Sequence, residues 1–161
     1  MRFWFDTEFF EDGKTIELIS IGVVSQDGRE YYAETPDAEF LCHQSNWLET
    51  NVKPHLIGQT IAKDKIGREL VEFMGPEPEI WAYYADYDWV VLCQLFGRMI
   101  DLPKGWPMFC LDLKQAVAER GNPKLPKQTS AEHNALADAR WTKEAWDWLR
   151  AYERDVLSRS R

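Results

Sequence analysis

A chain of 161 residues with a formal net charge of −8, 45% hydrophobic and 29% charged, is long enough to bury a sizeable core and reads as one globular domain over residues 1–161. The negative balance argues against a duplex-DNA binder held by basic charge, and no apolar run approaches the roughly 18 residues that would cross a bilayer. Three cysteines without C-x-x-C spacing argue against a disulfide framework or zinc site and suit a reducing cytoplasm.

The chain enters strand-like sequence at once, Arg2 to Asp6, with no charged and apolar leader ahead of it. Glu11-Asp12-Gly13 signals a turn, and the mostly apolar run Thr15 to Ser25 predicts a central strand. Asp27-Gly28 is a hairpin-type turn before a third strand, Glu30 to Glu34, so the three make an antiparallel meander. Residues 44–53 predict a short helix ending before Pro54, and 59–74 a helix stopped by Gly75-Pro76. Glu79 to Tyr84 reads as a fourth strand, Tyr87 to Ile100 as a buried helix and Met108 to Cys110 as a short fifth strand. A helix over 111–120, a loop with two prolines over 121–127 and a last helix over 134–157 complete the chain. This order predicts an α/β fold, a ribonuclease-H-like mixed five-stranded sheet with helices on both faces. The first strand would be central and the site would gather at strand ends.

Three acidic stretches then line up. Asp6 and Glu8 are one residue apart, so on a strand they share a face. Two like charges held that close help no fold, whereas a hard divalent cation takes oxygen ligands of this kind. Asp86-Tyr87-Asp88 stands where the fourth strand gives way to a helix, and His133-Asn134-Ala135-Leu136-Ala137-Asp138 opens the last helix. Each has a plainer reading. Asp6 and Glu8 suit a solvated turn, Asp86 or Asp88 suits a helix cap, Asp138 an exposed helical position, and His133 an ordinary half-buried histidine. Residues five apart on an ideal helix differ by about 140°, so His133 belongs to the loop or first turn, with Asp138 pointing inward one turn later. Thr129 with Glu132 offers a rival capping box that would start the helix earlier. Together the acids have a chemical logic: four carboxylates can hold two Mg²⁺ or Mn²⁺ ions about 3.5–4 Å apart around one phosphodiester. A neutral histidine beside the attacking water can take its proton.

D-T-E-F, a later Y-D and H-N-A-L-A-D, in this order, resemble the three motifs of DEDDh-type 3′–5′ exonucleases, the superfamily of RNase T, oligoribonuclease and polymerase proofreading domains. The longer strings I-E-L-I-S-I-G, Y-D-W-V-V-L-C-Q-L-F-G and H-N-A-L-A-D-A-R are similar to the small adenylate-specific exoribonucleases known as RNase AS, over residues 1 to about 150. The resemblance implies that Asp6 bridges two Mg²⁺ ions, with Mn²⁺ able to substitute. It implies that Glu8 and Asp138 hold the nucleophile-side ion, that Asp88 reaches a metal directly or through water, and that His133 is the general base. Many relatives carry Asn four residues before the second-motif Asp; here that place is Tyr84, which weakens the choice of Asp88 over Asp86. The implied substrate is single-stranded RNA or RNA with a 3′ overhang, and the implied assembly a homodimer. The tryptophan-rich last helix could supply that interface, or equally be core.

In the superfamily it resembles, the residues just after the first acid meet the terminal nucleotide, which implies that Thr7 offers its backbone N–H to that nucleotide and that Phe9 wedges against its base, or else packs in the core. A hairpin centred on Asp12-Gly13 pairs Glu8 with Ile16 or Glu17. Glu17, a charge in an apolar strand, would then contact the terminal ribose or adenine unless it is an exposed strand end. The reading is a metal-dependent 3′–5′ exoribonuclease releasing nucleoside 5′-monophosphates and preferring adenylate. Its rivals are a DNA or short-oligonucleotide exonuclease and a catalytically silent RNA-binding module, although no acid or base is missing.

Overall fold

Phe3 and Phe5 face one side of the first strand and Trp4 the other, and all three are buried. A strand apolar on both faces belongs at the centre of a sheet. In the computed structural model, which describes residues 1–159, that strand is β1 (Arg2–Glu11). It pairs antiparallel with β2 (Ile16–Ser25), which pairs antiparallel with β3 (Glu30–Glu34). On its other side β4 (Glu79–Ala82) and β5 (Leu111–Asp112) add in parallel, giving the order β3-β2-β1-β4-β5. The meander, the mixed sheet and its central first strand are those the sequence implies.

The helices are α1 (Ala38–Cys42), α2 (Asn46–Asn51), α3 (Lys63–Met74), α4 (Asp86–Gln94), α5 (Leu113–Glu119) and α6 (Ala135–Arg159). Ile66 and Leu70 of α3 and Leu92 of α4 close on Phe3 and Phe5. Val117 of α5 with Ala145 and Leu149 of α6 closes on Trp4 on the opposite face. Trp141, Trp146 and Trp148 pack against this second cluster, so the tryptophans of the last helix serve as core. No helix among the described residues is long and apolar enough to cross a membrane.

Several bounds differ from the sequence reading for local reasons. β1 continues past Asp6 to Glu11, because Phe9 and Phe10 still pair with β2. β4 stops at Ala82, before Tyr84 turns into the left-handed region at φ 59. The expected helix to Ile100 ends at Gln94, and Gly97 at φ 108 leads into a 3-10 turn, Met99–Asp101. The fifth strand lies at Leu111–Asp112 instead of 108–110; Met108 and Phe109 are exposed. The helix expected over 44–53 is split between α2 and a 3-10 turn, Lys53–His55, and α1 precedes it unpredicted.

One glycine is demanded by packing. Gly22 lies beside Asp6 in the β1–β2 register, and a Cβ there would sit 2.3 Å from the Leu136 backbone nitrogen and 2.4 Å from the Ala135 carbonyl. Its bare Cα lets the first turn of α6 rest directly on β2. A clash with backbone cannot be relieved by a rotamer change, so Gly22→Ala should destabilise the fold by about 3 kcal/mol. An unchanged urea midpoint would refute this account.

Candidate active site

Asp6 and Glu8 share the α6 face of β1, Glu8 buried and Asp6 half-buried. The third acid arrives from α4. The β1–β4 ladder ends at Trp4↔Trp81, which leaves the Thr7 N–H pointing past the end of β4. Asp88 Oδ1 takes that place, accepting the Thr7 N–H at 2.8 Å and the Thr7 hydroxyl at 2.6 Å. Asp88 is buried and Asp86 exposed, and neither caps α4 through its side chain. Of the two, Asp88 is the one that lines the cleft with Asp6 and Glu8.

The fourth acid and the histidine come from the start of α6. Asn134 caps the helix, its Oδ1 accepting the Ala137 N–H at 2.9 Å. His133 precedes it at φ 66 and donates its backbone N–H to Asp138 Oδ2 at 2.9 Å. Gln128 donates to Asp138 Oδ1 at 2.5 Å. The edge of Trp47 meets the His133 ring at 4.7 Å between centroids, and Asn134 Nδ2 reaches the His55 carbonyl at 3.4 Å.

The four carboxylates repel one another. Burial, then Asp88, Glu8 and Asp138, hold the Asp6 carboxyl well above its ordinary range. Burial, then Asp138 and Asp88, push Glu8 up to about 8. Burial raises Asp88 to about 6 against the opposing Thr7 hydrogen bonds, and it raises Asp138 against those from Gln128 and His133. Glu8, Asp138 and His133 each present a ligand atom within 4.8 Å of the others. Hard oxygen donors crowded in this way fit divalent cations such as Mg²⁺.

Two clefts meet at these acids. One, of about 260 Å³, runs between Phe9, Tyr84 and Tyr87; the other, of about 380 Å³, lies under Lys127, Gln128 and Trp141. Asp6, Tyr83, His133 and Asp138 line both. Phe9 packs against Tyr87 with centroids 5.6 Å apart, within reach of a bound base. Thr7 corrects its expectation, since its backbone N–H is held by Asp88 and not offered to a nucleotide. Glu17 corrects another. Asp12 accepts the N–H groups of Lys14 and Thr15, fixing a hairpin loop between Glu11 and Ile16, and a bulge follows Glu8. Ser20 therefore stands opposite Glu8, while Glu17 pairs with Phe10 and its carboxylate binds Lys63 at 2.5 Å in a separate cleft. Trp47, Gln128 and Tyr83 reach the site with no sequence signal of their own beyond being aromatic or polar.

Residues 1–149 match the family model of the Rv2179c-like 3′–5′ exoribonuclease domain. Two Mycobacterium tuberculosis proteins, the 3′–5′ exoribonuclease Rv2179c of strain H37Rv and the 3′–5′ exoribonuclease MT2234.1 of strain CDC 1551, are each 44% identical over 149 residues, covering 87% of this chain and 88% of theirs. Among solved structures, zinc-bound E. coli ExoI in complex with ssDNA superposes at TM-score 0.60 and 12% identity, over 94% of this chain and 42% of that longer one. Exonuclease I of Methylocaldum szegediense does so at 0.53 and 14%, over 88% and 38%. These likenesses establish the ribonuclease-H-like exonuclease fold.

The raised carboxyls set a pH dependence. The folded metal-free protein keeps protons that the unfolded chain releases between 4.5 and about 8, the ordinary and raised values for Glu8. The contribution of these groups to stability is therefore fully present below 4.5 and is lost as pH rises through that window. In EDTA, Tm should drop by roughly 5 °C or more from pH 5 to pH 8. Mg²⁺ or Mn²⁺ should restore it, more at pH 8 than at pH 5. A flat Tm across this range would contradict the electrostatic account.

Proposed function

The chain belongs to the Rv2179c-like 3′–5′ exoribonuclease family, is itself a 3′–5′ exoribonuclease, and, we propose, works by a two-metal mechanism on single-stranded RNA or 3′ overhangs, releasing nucleoside 5′-monophosphates with adenylate preferred. The observation that supports this most is the convergence of Asp6 and Glu8 from β1, Asp88 from α4 and Asp138 from α6 in one cleft, with His133 beside them. Adenylate preference rests on the RNase AS-like strings alone. A homodimer is retained from the same resemblance.

Asp6 would bridge the two ions, Glu8 and Asp138 would hold the nucleophile-side ion, and Asp88 would reach a metal directly or through water. When bound, the ions lower the pKa of the attacking water and stabilise charge on the leaving oxygen. His133 accepts the water's proton on its imidazole. It sits in the turn before α6 with Trp47 edge-on against its ring, so the base is steadied without being buried. Thr7 locks Asp88 in place by two hydrogen bonds to one oxygen. Phe9 and Tyr87 enclose the terminal base and favour an unpaired strand over a duplex end. A DNA exonuclease is the second reading, favoured by the ssDNA that the ExoI structure holds.

The decisive comparison is 3′-end degradation of labelled oligo(A), oligo(C), oligo(U) and DNA of one length, with Mg²⁺, Mn²⁺ or EDTA. Stepwise shortening fastest on oligo(A), abolished by EDTA and by Asp6→Asn, is expected. His133→Ala should lower kcat by about 10²–10⁴-fold. Activity undiminished by EDTA or by Asp6→Asn would overturn the mechanism. Cleavage of circular or 3′-blocked RNA would point to an endonuclease, and equal rates on all four substrates would remove both the base and the sugar preference.

A further inference from the structure

Four non-glycine residues among those described have positive φ, and two of them, His133 and Tyr84, line the active-site cleft. The conformation of His133 is accounted for by its place before α6, where its N–H meets Asp138. That of Tyr84, at φ 59, has no such account. Left-handed backbone suits glycine and, among the rest, asparagine; an aromatic residue gains nothing from it. Packing does not explain the ring either, since Tyr84 is 62% exposed. Strained residues that persist at a cleft point to a role there.

The surroundings say which role. Tyr83 meets the Tyr84 ring edge-on at 4.8 Å between centroids and is itself braced by Trp141 at 5.0 Å. Lys114 at the start of α5 places its Nζ 6.0 Å from the Tyr84 centroid. A braced, solvent-facing ring with a cation beside it suits a nucleobase and the phosphate next to it. Tyr84 lies past the end of β4 on the α5 flank, whereas Phe9 and Tyr87 stand where β1 meets α4. A strand whose terminal base sits against Phe9 would carry its next base along the same cleft to Tyr84.

We propose that Tyr84 is the stacking platform for the base on the 5′ side of the scissile phosphate, with Lys114 drawing in the adjoining phosphate. This rests on the exoribonuclease reading and adds to it a residue that sets grip on the upstream strand. The test compares wild type, Tyr84→Gly and Tyr84→Phe on an oligo(A) and on the same oligomer with an abasic residue in the penultimate position. Tyr84→Gly should raise KM roughly tenfold to a hundredfold on oligo(A) while kcat changes little. Its Tm should hold or rise, because glycine relieves the left-handed backbone. Tyr84→Phe, which keeps the ring, should hold most of the affinity. On the abasic substrate wild type should already show the weakened KM, and Tyr84→Gly should add nothing. An equal loss on both substrates, a fall in Tm that accounts for the loss, or an unchanged KM on oligo(A) would overturn the proposal while leaving the exoribonuclease reading intact. No cleavage of either substrate by wild type would overturn both.

Discussion

The site depends on how closely the first turn of α6 can approach β2. Gly22, beside Asp6, leaves backbone against backbone, and the last helix uses that gap to bring Asp138 and His133 onto the acids of β1. Everything around the contact holds it. Asn134 caps the helix and also reaches the His55 carbonyl. The chain just after His55 is tied down by Glu34, which is 1% exposed and accepts from Tyr32 Oη, the Ile57 N–H and the Gly58 N–H. A buried carboxylate is tolerable only when hydrogen-bonded on every side. In being satisfied, Glu34 fixes the segment that backs the catalytic turn.

Within this frame the acids are arranged against their own stability. Four carboxylates share one cleft, and burial deepens their repulsion. The hydrogen bonds that offset it are unequally placed. Thr7 holds Asp88, while Gln128 and the His133 N–H hold both oxygens of Asp138. Each of these donors fixes an orientation as well as a charge, so the proposed ligand set would be shaped before any cation arrives. Active sites commonly keep such strain because a relaxed arrangement would bind the cation or substrate less well.

What could be read in the sequence was whatever depends on period and order. Asp6 and Glu8 share a face because strand side chains alternate, and the meander followed by β-α-β set the sheet order. Asp88 and Asp138 were legible by motif, and His133 by its distance from Asp138. The misread residues depend on single turns. An Asx turn at Asp12 and a bulge after Glu8 moved Ser20, not Glu17, beside the first acids. The end of β4 turned the Thr7 N–H to Asp88 instead of to substrate. Trp47 and Gln128 come from segments whose place is decided by tertiary packing, and no local pattern marks them.

The same geometry resolves how a chain of net charge −8 can hold an anionic polymer. Long-range attraction works against it, so binding must come from short-range contacts. The clefts offer them: the rings of Phe9, Tyr83, Tyr84 and Tyr87 line one side of the acids, and Lys127 lies beside the other. Stacking needs unpaired bases, and a narrow cleft admits one strand. The single-stranded substrate proposed above would thus suit a site that uses aromatic surface in place of a basic field. On the proposed two-metal reading, the acids, repulsive to phosphate on their own, would become attractive only once neutralised by divalent cations. Substrate affinity and catalytic readiness would then share one requirement.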